Sequence, residues 1–190
     1  MPLALILSSF VAASRIGGAA QQYVLAAHGI DPVLAPTVML GRNPARGAHG
    51  QATPPDVFRQ MLADIEADAI FGMVDLVITG HFSLAEQVEI AADALARIRA
   101  TAERKPVIVV DPILGDDPKG LYVLPGVAQA VADRLVPLAD WITPNLWELS
   151  HLAGVEIADA ASAVAAARGL GKPALVTSAP APAGEIGVLL

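Results

Sequence analysis

Apolar residues in this chain form short unbroken runs, separated by longer stretches in which they recur every three or four positions. The runs lie at Ala4–Ser8, Pro32–Val38, Asp75–Thr79, Val107–Val110, Ala139–Ile142 and Ala174–Thr177. Each reads as a strand buried on both faces, which is the pattern of a parallel sheet. Between them, Leu84 to about Ala102 places Val88, Ala91, Ala92, Leu95 and Ile98 on one side and predicts an amphipathic helix. Further helices are expected from Gly17-Gly18 through about His28, from Asp56 to Ala67, over Pro125–Leu135 and over Ala158–Gly169. The segment Met39–Pro55 holds Gly41, Pro44, Gly47, Gly50, Pro54 and Pro55, a loop long enough to suggest a function. Alternating strands and helices predict a mostly parallel sheet covered on both faces, with residues 1–190 as one domain.

Composition narrows the setting. With 54% apolar residues and a mean hydropathy of +0.54, the 190 residues are enough for a full α/β core. Twelve basic against nineteen acidic residues give a formal charge of −7, with no Lys/Arg cluster to neutralise a run of phosphates, so nucleic acid is not an expected partner. The absence of cysteine excludes disulfides and thiolate metal sites. The apolar start, Met1 to Ser14, lacks a basic n-region and has its first cation at Arg15, so it reads as a first strand, not a signal peptide. No apolar run is long enough to cross a bilayer, and the expectation is a cytoplasmic protein without a membrane partner.

Candidate chemistry concentrates between Val107 and Glu148. One strand runs into Asp111-Pro112-Ile113-Leu114-Gly115-Asp116, and another into Thr143-Pro144-Asn145-Leu146-Trp147-Glu148. In an open α/β sheet, ligands collect beyond the carboxyl ends of the strands, so both segments would face one crevice. Two carboxylates, an amide and a hydroxyl would meet there, a set suited to Mg²⁺ and a triphosphate. Each segment also has a purely structural reading. Asp111 before Pro112 is a common turn, and Thr143-Pro144 with Glu148 downstream reads as a helix start with Thr143 as the cap and Pro144 in the first turn.

Taken in order, these residues resemble the pyridoxal kinases, a branch of the ribokinase-like vitamin kinases. The resemblance rests on Asp111-Pro-Ile-Leu-Gly115-Asp116, Lys119-Gly120, Pro125-Gly126 and Thr143-Pro-Asn-Leu-Trp-Glu148-Leu149. It extends to Gly80-His-Phe-Ser-Leu-Ala-Glu-Gln87, to Thr37-Val38, and to Ser9 with Gly17. It implies a three-layer α/β/α sandwich and transfer of the γ-phosphoryl group of ATP to the 5′-hydroxymethyl of pyridoxal or a related vitamer. By the same resemblance, Ser9, Thr37 and His81 would hold the ring. Asp111, Tyr122, Asn145, Glu148 and Thr177 would serve the nucleotide, with Asp111, Thr143 and Glu148 near Mg²⁺ and K⁺ or Na⁺ as a possible monovalent ion. A homodimer is also implied.

Departures from the family pattern sharpen these expectations. Phe10 stands where bacterial relatives carry a histidine, and Pro36 precedes Thr37 where the family often has asparagine. The 39–50 loop keeps little of the family's aromatic and histidine pattern. The family's Gly-x-Gly-Asp segment, whose aspartate activates the accepting hydroxyl, has no match in these residues. The chain therefore reads as a C-terminally incomplete fold with no assigned catalytic base, inactive as it stands. Two other readings remain open: a hydroxymethylpyrimidine kinase of thiamine synthesis, or a non-catalytic ligand-binding remnant.

Overall fold

The computed structural model describes residues 1–47 and 50–190; Ala48 and His49, within the glycine- and proline-rich loop, lie outside the described residues. The first strand, β1 (Leu3–Val11), leads through α1 (Gly18–Ala27) into β2 (Asp31–Leu40). Both strands run past their expected ends: Ser9 is buried in the sheet as the aliphatic residues are, and Phe10 and Val11 go on to pair with Met39 and Leu40. The expected loop after β2 is partly ordered. A 3-10 turn at Pro44–Arg46 is followed by β3 (Gln51–Ala52), which returns antiparallel along Val38 and Met39.

Helix α2 (Pro55–Ala67) starts with proline in its first turn and buries Phe58 and Leu62, one turn apart. A short α3 (Ile70–Met73), not anticipated from the periodicity, leads into β4 (Leu76–Thr79). Next, α4 (Ala85–Thr101) buries the expected face of Val88, Ala91, Ala92, Leu95 and Ile98. After β5 (Val107–Val110) comes a two-stranded hairpin of β6 (Gly115–Asp116) and β7 (Gly120–Leu121), for which the sequence pattern predicts no element. The helix expected over Pro125–Leu135 is regular only as α5 (Pro125–Ala130) and then widens into a π turn at Val131–Leu135. Beyond β8 (Trp141–Ile142) come α6 (Leu146–Ala153), α7 (Ala160–Gly169), β9 (Val176–Ala179) and β10 (Gly187–Leu189).

The strands lie in the order β3-β2-β1-β4-β5-β8, parallel except for β3. Parallel bridges from Ile142 to Ala174 and from Asn145 to Thr177 carry the pairing on to β9, which β10 joins antiparallel. Leu5, Val33, Val77 and Ile108 are level across four strands, on the face that packs with Phe58, Val88 and Leu95. Leu34 points to the other face, where it lies against Gly18 of α1. Helices thus cover both faces and produce the expected three-layer sandwich.

The two ends of the sheet differ. At the amino end, Asp75 Oδ2 accepts from the Leu3 amide at 3.0 Å while its other oxygen pairs with Arg104 at 2.6 Å. Asp140 Oδ2 accepts from the Ile108 amide at 2.9 Å and from Arg99 at 2.8 Å. At the carboxyl end, the chain turns from β1 to β2 on one side and to β4 on the other. That reversal of winding opens a crevice between β1 and β4.

Candidate active site

A cavity of about 560 Å³ occupies this crevice. Ser9 and Val11 from the end of β1, Val38 and Leu40 from β2, and His81 and Ser83 from the turn after β4 form its walls. Gly17, at φ +55°, has its Cα against the Ser9 hydroxyl, where any Cβ would collide with Oγ. The His81 ring is within hydrogen-bond reach of Ser83 Oγ, 3.2 Å from Nε2, and burial holds its pKa below the ordinary histidine value. A neutral imidazole facing a largely apolar hollow suits a flat heteroaromatic ligand.

Thr37 sits behind this wall. It is fully buried, and its hydroxyl donates to the His81 carbonyl at 2.5 Å, so it supports the turn that carries His81 and does not itself face the cavity. Sequence reading gives no role to Ser83, Lys119 or Ile113, all of which line the cavity. Lys119 and Tyr122 arrive there from the β6–β7 hairpin, and only recognition of that hairpin would have directed them inward.

A second cluster adjoins the first. Asp111 follows β5 and Thr143 follows β8; their amides donate to Thr79 and Val110 in the neighbouring strands, which fixes the two loops side by side. Between them the chain turns at Ile113, whose φ of +46° is rare for a β-branched residue and costs of order 1–3 kcal/mol. The turn aims the Leu114 amide at Glu148, which accepts it at 2.8 Å through Oε1. Glu148 Oε2 accepts from the Asn145 amide at 2.9 Å, and Asn145 Oδ1 accepts from the Glu148 amide at 2.8 Å. The helix start expected from sequence is therefore real, but its cap is Asn145, not Thr143, and Pro144 lies outside the helix. The physical reason is reach: the Asn145 side chain closes on the amide three residues ahead, in a reciprocal capping box with Glu148. Asn145 Nδ2 also donates to the Gly115 carbonyl at 2.8 Å and so ties the hairpin to α6.

The electrostatics of this cluster are unbalanced. Burial, reinforced by the Glu148 charge and opposed by a bond from the Thr143 hydroxyl, pushes Asp111 up to about 7. Burial also raises Glu148, which is 3% exposed, against the lowering effect of the Asn145, Leu114 and Gly115 amides. Tyr122 is raised by burial and by Glu148, Asp111 and Asp116. Among the described residues, neither Asp111 nor Glu148 has an ion-pair partner. Thr177 closes the far side, its amide donating to the Pro144 carbonyl at 3.0 Å. Among the described residues, no group of three or more His, Asp or Glu side chains is close enough to enclose a metal by itself, and no helix is long and apolar enough to cross a membrane.

Comparison with known proteins agrees with this fold. A family model described as phosphomethylpyrimidine kinase matches residues 17–178. The pyridoxine/pyridoxal/pyridoxamine kinase of Bordetella avium is 37% identical over 163 residues, which cover 85% of this chain and 55% of that protein. A pyridoxal kinase of Leifsonia xyli is 32% identical over 183 residues, covering 94% of this chain and 64% of the relative. The chain thus spans 55% and 64% of the length of these two relatives. Among solved structures, the pyridoxal kinase from Leishmania donovani in complex with ADP and pyridoxine superposes with a TM-score of 0.90 at 28% identity, over 98% of this chain and 65% of that one. The pyridoxal kinase from Entamoeba histolytica gives 0.89 at 26% identity, over 99% and 67%. With its ribokinase-like sandwich and its match to the family model over most of its length, the chain belongs to the phosphomethylpyrimidine kinase family, and these relatives and structures that it resembles are pyridoxal kinases.

Proposed function

We propose that this chain provides the vitamin pocket and the phosphate-side carboxylates of an ATP-dependent pyridoxal kinase. The observation that carries the reading is the junction of a heteroaromatic-sized cavity with two neighbouring carboxyls, Asp111 and Glu148, that have no ion-pair partner among the described residues. In the reaction, the 5′-hydroxymethyl oxygen forms a bond to the γ-phosphorus as the bond to the β–γ bridging oxygen breaks. The products are the 5′-phosphate and ADP, and the hydroxyl proton leaves to a base that is not assigned among these 190 residues.

Ser9 and His81 bind the ring, and Thr37 acts from behind by holding His81 in place. Tyr122, 50% exposed at the cavity wall, and Thr177 flank the nucleotide. Asp111 and Thr143 would hold Mg²⁺ with most of its waters retained, and the ion would supply neutralisation of charge on the transferred group. Glu148 has both oxygens bonded to backbone amides, so it adds charge and shapes the turn more than it coordinates. Asn145 locks that turn to the hairpin. The monovalent K⁺ or Na⁺ site, a cytoplasmic location and a homodimer belong to the same reading, supported by family resemblance.

A second reading, phosphorylation of a hydroxymethylpyrimidine, is favoured by the description of the family model. Calorimetric titration of the chain with pyridoxal, with Mg-ATP and with a 5-hydroxymethylpyrimidine separates the two. The proposal expects saturable binding of pyridoxal and of Mg-ATP. Binding of the pyrimidine with no measurable pyridoxal affinity would replace it with the second reading.

A further inference from the structure

Gln87 occupies the third position of α4, outside the cavity, and is fully buried. Its amide has every bond it is capable of making. Nε2 donates to the Thr37 carbonyl at 2.8 Å and to the Thr53 carbonyl at 2.7 Å. Oε1 accepts from the Ser83 amide at 3.0 Å and from the Leu84 amide at 3.2 Å. The orientation follows from the partners, since a flipped amide would set donors against donors and acceptors against acceptors at all four contacts.

These four bonds join the two sides of the cavity. Thr37 ends the part of β2 whose next residue, Val38, is a wall, and Thr53 anchors the returning strand by donating its amide to the Thr37 carbonyl and its hydroxyl to the Pro36 carbonyl. Ser83 and His81 form the opposing wall, and the Thr37 hydroxyl makes a fifth tie to His81. A helix cap alone needs only the acceptor half of the amide, and glutamate serves that position equally well. The donor half, aimed at two carbonyls 50 and 34 residues away in sequence, serves the wall.

We infer that Gln87 is a positioning residue for the vitamin: it sets the separation of the β2 wall from the His81–Ser83 wall, and with it the fit of the pyridine ring. The inference rests on the reading of this cavity as the vitamin pocket. Buried networks of this kind act as units, so losing half of one displaces what it holds.

The test compares Gln87→Glu, Gln87→Met and a control, Ile98→Ala, on the same helix but at its far end and in the core. Binding of pyridoxal and of Mg-ATP to the full chain is measured by calorimetry, alongside Tm. Gln87→Glu keeps the helix cap and loses both donors, so it should weaken pyridoxal at least tenfold while Mg-ATP changes less than twofold. Gln87→Met should do the same, and Ile98→Ala should lower Tm while changing the two affinities equally. If Gln87→Glu binds pyridoxal like the wild type, or if both Gln87 variants weaken the two ligands in proportion to lost Tm as Ile98→Ala does, Gln87 is only a cap or a core residue and the inference is overturned. A wild-type chain that fails to bind pyridoxal overturns both the pocket assignment and this inference. A wild type that binds, with variants that do not discriminate, overturns this inference alone.

Discussion

Asn145 and Glu148 hold each other through two reciprocal bonds of 2.8 and 2.9 Å, and each then reaches past the other to the loop after β5, Asn145 to the Gly115 carbonyl and Glu148 to the Leu114 amide. A helix cap and the acidic half of the site are therefore one object.

Removing the charge at this point should affect one ligand selectively. Glu148→Gln is expected to weaken Mg-ATP at least tenfold, about 1.4 kcal/mol, with pyridoxal within twofold, because the carboxylate acts at the cation and not at the ring. Ser9→Ala should do the reverse and cost pyridoxal about 1 kcal/mol, the usual value of a hydrogen bond. Titration of each variant with each ligand checks both, and equal effects on both ligands would mean that the two ends of the crevice have been exchanged.

Asp111 gives the metal-free protein a pH dependence. Its folded pKa, about 7, lies above the ordinary 3.8, so between those values the folded state binds more protons than the unfolded state. Stability should then fall as pH rises from about 4 to about 7, by up to a few kcal/mol at about 1.4 kcal/mol per pKa unit. Asp111→Asn should remove this slope and melt higher than wild type at pH 8, at the expense of Mg-ATP binding. Added Mg²⁺ should raise the wild-type Tm more at pH 8 than at pH 5. Parallel Tm-versus-pH curves for wild type and variant would show that Asp111 ionises freely.

Gly115 cannot carry a side chain. A Cβ there would run into the Trp147 ring and lie 2.6 Å from the Gly120 carbonyl, and the backbone oxygen has no room to yield. Gly115→Ala should open the β6–β7 hairpin at a cost of about 1–3 kcal/mol, seen as a lower Tm and faster hydrogen exchange over residues 114–122. Unchanged exchange there would mean that the ring and the hairpin adjust easily.

Much of this was visible in the chain itself, for reasons that particular residues make plain. The strands announced themselves through β-branched runs such as Val107–Val110, and α4 through the spacing of Val88, Leu95 and Ile98. The end of β1 reads as Ser8 because Ser9 looks like a surface residue, whereas in a parallel sheet the strand end is buried too. The hairpin from Gly115 to Leu121 goes unread because strands of two residues have no periodicity to display. For the site, the order of Asp111, Asn145 and Glu148 was legible, but the division of labour among them was not. A side chain such as Gln87 is invisible in advance, because its partners at Thr37 and Thr53 are set by how β2 and its return are folded.

The paired aspartates at the amino end of the sheet put the acids of the crevice in a different light. Burial works to raise Asp140, yet the Ile108 amide, Arg99 and Lys105 outweigh it and hold its carboxyl below the usual range, while Asp111, one strand length away, is pushed up to about 7. Among the described residues, the ion-paired acids of the sheet thus lie on one rim and the acids raised by burial on the other. Asp140→Asn should loosen the β5–β8 edge and lower Tm while leaving both ligand affinities within twofold, as calorimetry would record. The protein can then be made hardier by strengthening the amino rim, with no trade against the chemistry at the opposite one.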